Sequence, residues 1–250
     1  MQALHSAKLG LIAQQNRVGV VANNLANVNT PGYKSQRMDF KDALYTQILN
    51  PAELDKTGLE QGTGVLMAAT NSDLTQGTVL GTGESLDMYI DGDGYFCIAD
   101  VDGSVLYTRH GAFAISDEED GNWLVNASGR YVLDENMARI RIPENASEIS
   151  VSADGTLMAD GVVLGRLGVV TFVNRNGLAS AGGALYRETE ASGAPQQTGA
   201  TVRQGGLEAS NVDVATELTR LIRAQKAFAM ASRAVSVWDE MASTTNNLRT

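Results

Sequence analysis

The chain has 250 residues, 43% of them hydrophobic and 19% charged, with a net charge of −10 at neutral pH. That balance suits one substantial folded domain or two small ones and excludes direct membrane insertion, since no apolar run reaches the roughly 20 residues a bilayer requires. A single cysteine, Cys97, and only two histidines, His5 and His110, exclude an intramolecular disulfide, a cysteine-rich zinc site and a histidine-based metal cluster.

Charge is spread unevenly. Residues 1–50 carry +3, residues 203–250 carry +1, and the stretch 51–202 carries −14. This argues against nucleic acid as a partner and for a solvated acidic middle, with nearly neutral ends free to pack against copies of themselves. Residues 1–11 contain no basic stretch leading into an apolar core, so no cleaved secretory signal is expected.

The first thirty residues have a helical period. Leu4, Leu11, Val18 and Leu25 recur every seven residues, and Ala7, Gln14, Val21 and Val28 form a companion row, the a/d seam of a coiled coil over four heptads. One helix alone does not bury so narrow a stripe, and each large aliphatic gains roughly 1.5–3 kcal/mol only when a neighbour covers it. Gly10 and Gly19 each cost about 1 kcal/mol of helix propensity relative to alanine, which fits a helix ordered on assembly. Pro31 disfavours helix at Thr30, and Pro31-Gly32 suits a turn with positive φ at the glycine, so the helix stops here. Asn23 and Asn24 lie off the seam, either solvated or hydrogen-bonded to a neighbouring chain.

Residues 35–80, with 187–204, read as a connecting region containing a loop and a short helix. Phe40, Leu44 and Ile48 at four-residue steps place that helix over 38–49, ended by Asn50-Pro51. Over 81–186 the period becomes two. Met88 and Ile90 alternate with Tyr89 and Asp91, Ile140 and Ile142 with Arg139 and Arg141, and 169–173 is β-branched and aromatic. Asp-Gly dipeptides, such as Asp102-Gly103 and Asp154-Gly155, supply tight turns. The expected fold is α+β: long N- and C-terminal helices forming a coiled-coil-like domain (1–34 with 205–250), with an inserted, mainly antiparallel β domain (81–186).

Little in the middle points to catalysis. Asp91/Asp93, Asp100/Asp102 and the run 117–120 match no twelve-residue calcium loop, and turn chemistry explains them better. No G-x-S-x-G elbow accompanies His110, and Arg109-His110 reads as a surface pair at a strand end. No metal site is expected.

The last forty residues form one long amphipathic helix. Val214, Leu221, Phe228, Val235 and Ala242 recur by sevens, while Leu218, Ala224, Ala231 and Trp238 share their side. Ser210 and Asp213 mark its start, with Glu217 near the positive end of the helix dipole. The expected assembly surface is therefore Leu4, Leu11, Val18, Val21 and Leu25 with Val214, Leu218, Leu221, Phe228, Val235 and Trp238.

Two strings at opposite ends carry a family resemblance. Asn23-Asn24-Leu25-Ala26-Asn27-Val28-Asn29-Thr30-Pro31-Gly32-Tyr33-Lys34 resembles the N-terminal signature of the bacterial flagellar rod and hook axial proteins, and Gly206-Leu207-Glu208-Ala209-Ser210-Asn211-Val212-Asp213 resembles their C-terminal one. Asp93-Gly94-Tyr95-Phe96 and Tyr107-Thr108-Arg109-His110-Gly111-Ala112-Phe113 are similar to the family's middle domain, and Phe40-Lys41-Asp42-Ala43-Leu44-Tyr45 favours its distal-rod branch over a proximal one. The family motif residues are Asn23, Asn24, Asn27, Pro31, Gly32, Ser210, Asn211 and Asp213. The resemblance implies a cofactor-free structural subunit, exported unprocessed through the flagellar type III apparatus. Its implied place is the basal-body rod spanning the cell envelope, where it assembles into a helical homopolymer with other rod and hook axial proteins. The competing reading is a cell-wall glycan hydrolase using carboxylates of the acidic middle; it names no carboxylate pair and leaves the terminal seams unexplained.

Overall fold

The computed structural model describes residues 2–43, 45–48, 59–62, 64–100, 102–118, 120–146 and 148–247. The protein is α+β, with a helix near each end of the chain and mostly antiparallel strands in the sequence between them. It divides into two compact units, one of Met1–Ala26, Gln36–Ser72 and Val212–Thr250, the other of Asn27–Ser35 and Asp73–Asn211.

The first unit is built on α1 (Gln2–Ala26) and, at the far end of the chain, α2 (Val214–Asn247), which pack together. Asn24, at the end of α1, donates to Glu217 in the first turn of α2 at 3.3 Å, so the two helices run antiparallel. The Asp213 carboxylate accepts from the Thr216 amide at 2.7 Å and caps α2. At 1.5 Å per residue α1 is about 37 Å long and α2 about 51 Å. With Asn24 level with Glu217, α2 outruns the start of α1 by about two turns, roughly 12 Å.

Four strands complete this unit: β1 (Gln36–Asp42), β2 (Tyr45–Ile48), β3 (Leu59–Gly62) and β4 (Val65–Ser72). They pair antiparallel, β1 with β4 and β2 with β3, and β1 and β4 pack on α1. The short helix expected over 38–49 is thus corrected to strand; Leu44, Leu49 and Asn50-Pro51 lie outside the described residues. A four-residue step returns an apolar side chain to one side of a strand as readily as to one side of a helix. Met38 and Phe40, two apart, already favour the strand.

Short antiparallel strands make up the second unit. Its largest sheet has six, in the order Ala179–Gly182, Leu185–Arg187, Val105–Thr108, Tyr95–Ala99, Val169–Thr171 and Gln196–Gln197. Thr201–Gln204 pairs with Met88–Asp91, and Gly206–Glu208 with Val79–Gly81. The segment 187–204, expected as connection, therefore supplies strands. Its signal is weak because only Val202 of Thr201–Gln204 reaches the core.

Tyr95–Ala99 is the strand around which this core forms, being buried on both faces. Phe96 packs with Met88, Ile90, Phe113 and Leu124, while Tyr95 and Cys97 pack with Tyr107, Phe172 and Tyr186. Edge-to-face ring pairs fix the geometry, Phe96 with Phe113 at 5.2 Å and Tyr107 with Phe172 at 4.8 Å. The alternation read at 139–142 holds, with Ile140 and Ile142 buried and both arginines exposed. Burial pushes the Cys97 thiol up to about 12. A thiol reagent is accordingly expected to label the native protein only as fast as this sheet opens; full labelling within the mixing time would contradict the placement.

Candidate functional site

On α1 the described buried side chains are Ala13, Val21 and Asn24; on α2 they are Glu217 and Ala224, with Leu221, Ala227, Ala231 and Val235 half-buried along the same side. Of the seam residues read from the sequence, Leu11, Val18, Leu25, Leu221 and Val235 are half-buried, and the Leu4 side chain lies outside the described residues. Val214, Leu218, Phe228 and Trp238 are exposed. Advancing 100° per residue, Val214, Leu218 and Ile222 form one flank of α2, while Met230, Val237 and Met241 form a second about 120° around the helix; all six are exposed. An antiparallel pair covers one side of each helix. Large apolar side chains of α2 remain exposed on two further sides.

Asn24 ties these helices to β1. Its Nδ2 donates to the Gln36 carbonyl at 2.8 Å and its Oδ1 accepts from the Gln36 amide at 2.9 Å. Glu217, nearly fully buried, accepts from Asn24 and from Arg220, the latter at 2.6 Å. The neighbouring-chain partner considered for Asn24 is thus found within its own chain. Val20, Met38 and Phe40 floor an adjacent groove of about 400 Å³ rimmed by Arg17, Arg37 and Arg220.

In the second unit Lys34, Arg109 and Glu208 form a buried ionic centre beside the motif residue Gly32. Glu208 is 1% exposed; its Oε1 accepts from Lys34 Nζ at 2.5 Å and from the Gly77 amide at 3.0 Å, and its Oε2 from Arg109 at 3.0 Å. Lys34 also donates to the Thr75 carbonyl at 2.6 Å, and Arg109 to the Gly92 carbonyl at 2.7 Å. Burial pushes the Lys34 ammonium below its ordinary value, opposed by the charge and hydrogen bond of Glu208. Arg109 is 3% exposed, which corrects the surface pair read at 109–110: the guanidinium finds its counter-charge 99 residues away, where local pattern does not reach. Lys34 and Glu208 are likewise ion-pair members that periodicity misses. Their motif strings are rich in polar residues and give no local sign of burial.

Backbone geometry locks the same centre. Asn27 closes the turn, its carbonyl accepting from the Thr30 amide at 3.1 Å, and Pro31 leads into Gly32. Gly32 has φ +69, and a Cβ there would lie 2.6 Å from the Arg109 carbonyl carbon, so only glycine fits. Its amide donates to the Glu208 carbonyl at 2.7 Å. Asn211 accepts from the Ser35 amide at 2.8 Å and donates to the Asp73 carbonyl at 2.8 Å. Asn23 is exposed on α1, and Ser210 is half-buried.

Beside this centre, burial pushes the His110 imidazole below its ordinary 6.5, against the charge of Asp87. The unfolded chain therefore takes up a proton near pH 6.5 that the native one does not. This contribution to stability is complete above 6.5 and is lost as pH falls below it towards the lowered native value. His110→Gln is expected to flatten the fall of the urea midpoint below pH 6.5; an unchanged slope would contradict this.

The acidic pairs weighed for calcium serve turns and surface ion pairs. Asp102 accepts from the Ser104 amide at 2.9 Å, Asp100 pairs with Arg130 at 2.9 Å and Asp91 with Arg203 at 3.2 Å. Among the described residues no group of three His, Cys, Asp or Glu is placed to hold a metal ion, and no helix is long and apolar enough to cross a membrane.

Comparison with known proteins matches three segments of the chain to flagellar families. Residues 4–34 match the flagella basal body rod protein family, residues 89–159 the D1 domain of the flagellar hook proteins FlgE/F/G, and residues 203–248 the C-terminal region of the basal body rod FlgEFG proteins. The flagellar basal-body rod protein FlgG of Agrobacterium fabrum is 40% identical over 262 residues, covering 97% of each chain. Its counterpart in Buchnera aphidicola subsp. Acyrthosiphon pisum is 38% identical over 257 residues, covering 96% of each, and that of Caulobacter vibrioides 37% over 268, covering 100% of each. These comparisons give the hydrolase reading no support. With the terminal motifs and nearly full-length identity at this level, the chain belongs to the FlgG family of flagellar basal-body rod proteins, structural subunits of the distal rod and not enzymes.

Proposed function

We propose that the subunit polymerises into a helical tube through its terminal helices, which form a coiled-coil-like core, with the strand-rich unit as a domain inserted in sequence between them. The observation that carries this reading is the amount of large apolar surface left on α2 by its packing with α1, from Val214 and Leu218 at one end to Trp238 and Met241 at the other. Contacts between unlike surfaces propagate without closing and build a filament. The interface comprises the exposed members of the predicted seam, with other rod and hook axial proteins meeting the same helices where the homopolymer ends. Transmission of torque through many repeated contacts and delivery through the flagellar type III export apparatus complete the reading, and both draw their support from family membership. Electron microscopy of the purified chain over a concentration series tests it. Helical tubes above a threshold concentration are expected, and a strictly monomeric protein at every concentration would overturn it.

A further inference from the structure

We infer that the groove at the junction of α1, β1 and the start of α2 seats the C-terminal overhang of α2 from a second copy of this chain, a head-to-tail contact. The inference rests on the polymer reading above and supplies the two surfaces of one of its contacts.

The two ends of the helical unit carry complementary chemistry. At one end Val20, Met38 and Phe40 form an apolar floor beneath Arg17, Arg37 and Arg220. Arg37 is shared with Asp39 at 3.1 Å and Arg220 with Glu217 at 2.6 Å. Arg17 makes no ion pair among the described residues, its guanidinium lying 5.8 Å from the centre of the Phe40 ring. At the other end, α2 passes the start of α1 at about residue 239, leaving the last two turns without α1 beside them. Val237 and Trp238, at that crossing, are 52% and 44% exposed, and Met241, in the first turn beyond it, is 50% exposed. Asp239 and Glu240 stand among them, exposed and in no ion pair among the described residues.

An aromatic and methionine-bearing helical turn with two carboxylates fits a groove with an apolar floor and a guanidinium rim. The large side chains supply the anchor, and the carboxylates the charge-assisted bonds. Upstream of the overhang, α2 carries Arg220, Arg223, Lys226 and Arg233 against the single acid Glu217, so the acidic turn is the odd part of a basic helix. Symmetric pairing of two copies would set arginine rim against arginine rim, or carboxylates against carboxylates, and like charges oppose it. Overhang into groove satisfies both, and because the two surfaces differ it leaves a free groove and a free overhang on every oligomer.

Charge reversal tests the pairing in the full-length chain. Arg17, Arg37, Asp239 and Glu240 are all exposed or at a surface, so Asp239→Arg/Glu240→Arg and Arg17→Glu/Arg37→Glu are expected to keep the wild-type circular dichroism. Each doubly reversed variant is expected to raise the critical concentration for pelletable polymer by about tenfold or more. An equimolar mixture of the two, in which each reversed overhang meets a reversed groove, is expected to recover it. If wild-type chain polymerises and both variants polymerise equally well, or if the mixture stays as weak as its components, this contact is refuted while the polymer reading stands. Monomeric wild-type chain at every concentration would bring down both.

Discussion

Glu208→Gln is expected to destabilise the strand-rich unit by about 3–5 kcal/mol, read as a shift of the urea midpoint. The carboxylate is 1% exposed and holds Lys34 and Arg109, themselves 2% and 3% exposed. Glutamine keeps the shape and loses the charge, leaving two cations side by side without a counter-ion in a medium of low polarity. Lys34 then sheds its proton more readily still, because burial already pushes it down and Glu208 is what pushes it back up. Lys34→Met provides the contrast. It leaves Arg109 and Glu208 as a neutral pair at 3.0 Å, so its cost is expected to be well below that of Glu208→Gln. The double variant Lys34→Met/Glu208→Gln should fall short of the sum of the two by roughly 0.5–3 kcal/mol. Equal costs for the two single variants, or strict additivity, would show that the three groups do not act as one centre.

A second large effect is expected at Leu218, here on assembly and not on folding. Leu218 is 43% exposed on the outer flank of α2. Leu218→Asp should therefore change the stability of the isolated subunit by no more than about 0.5 kcal/mol. The same carboxylate would enter a helix-to-helix contact in a polymer, where an unpaired charge is costly, so tubes should not form. Ala224→Asp is the matched control. Ala224 is 2% exposed on the stripe that faces α1, and there the aspartate should cost the subunit itself roughly 2–3 kcal/mol. Normal tubes from Leu218→Asp would remove this flank from the assembly surface.

These two predictions draw on different layers of the sequence. The helical ends and the start of α2 at Asp213 were legible because they are local, a seven-residue period and a capping carboxylate, whereas α1 stops at Ala26, before the proline read as its end. Which members of the α2 stripe face α1 was not legible, since Leu221 and Leu218 differ by three residues on one helix and either satisfies an amphipathic pattern. Only the packing partner separates them, leaving Leu221 half-buried and Leu218 exposed. The segment at 36–48 misled for a related reason, four being a multiple of the strand period as well as close to the helical one. The buried ionic centre was legible as strings and not as chemistry. Lys34, Arg109 and Glu208 sit in three separate motifs, 174 residues apart at the extreme, and a charged side chain in a polar string reads as surface until the fold supplies its counter-charge.

Hydrogen exchange with mass spectrometry on the subunit before and after polymerisation bears most directly on the claim that the terminal helices are the assembly surface. Peptides from α1 and α2 are predicted to gain protection in the polymer, most strongly those containing Leu218, Phe228 and Trp238, while the core strand Tyr95–Ala99 stays as slow as it already is. Unchanged exchange along α2, with new protection confined to the strand-rich unit, would place the contacts elsewhere and contradict the account.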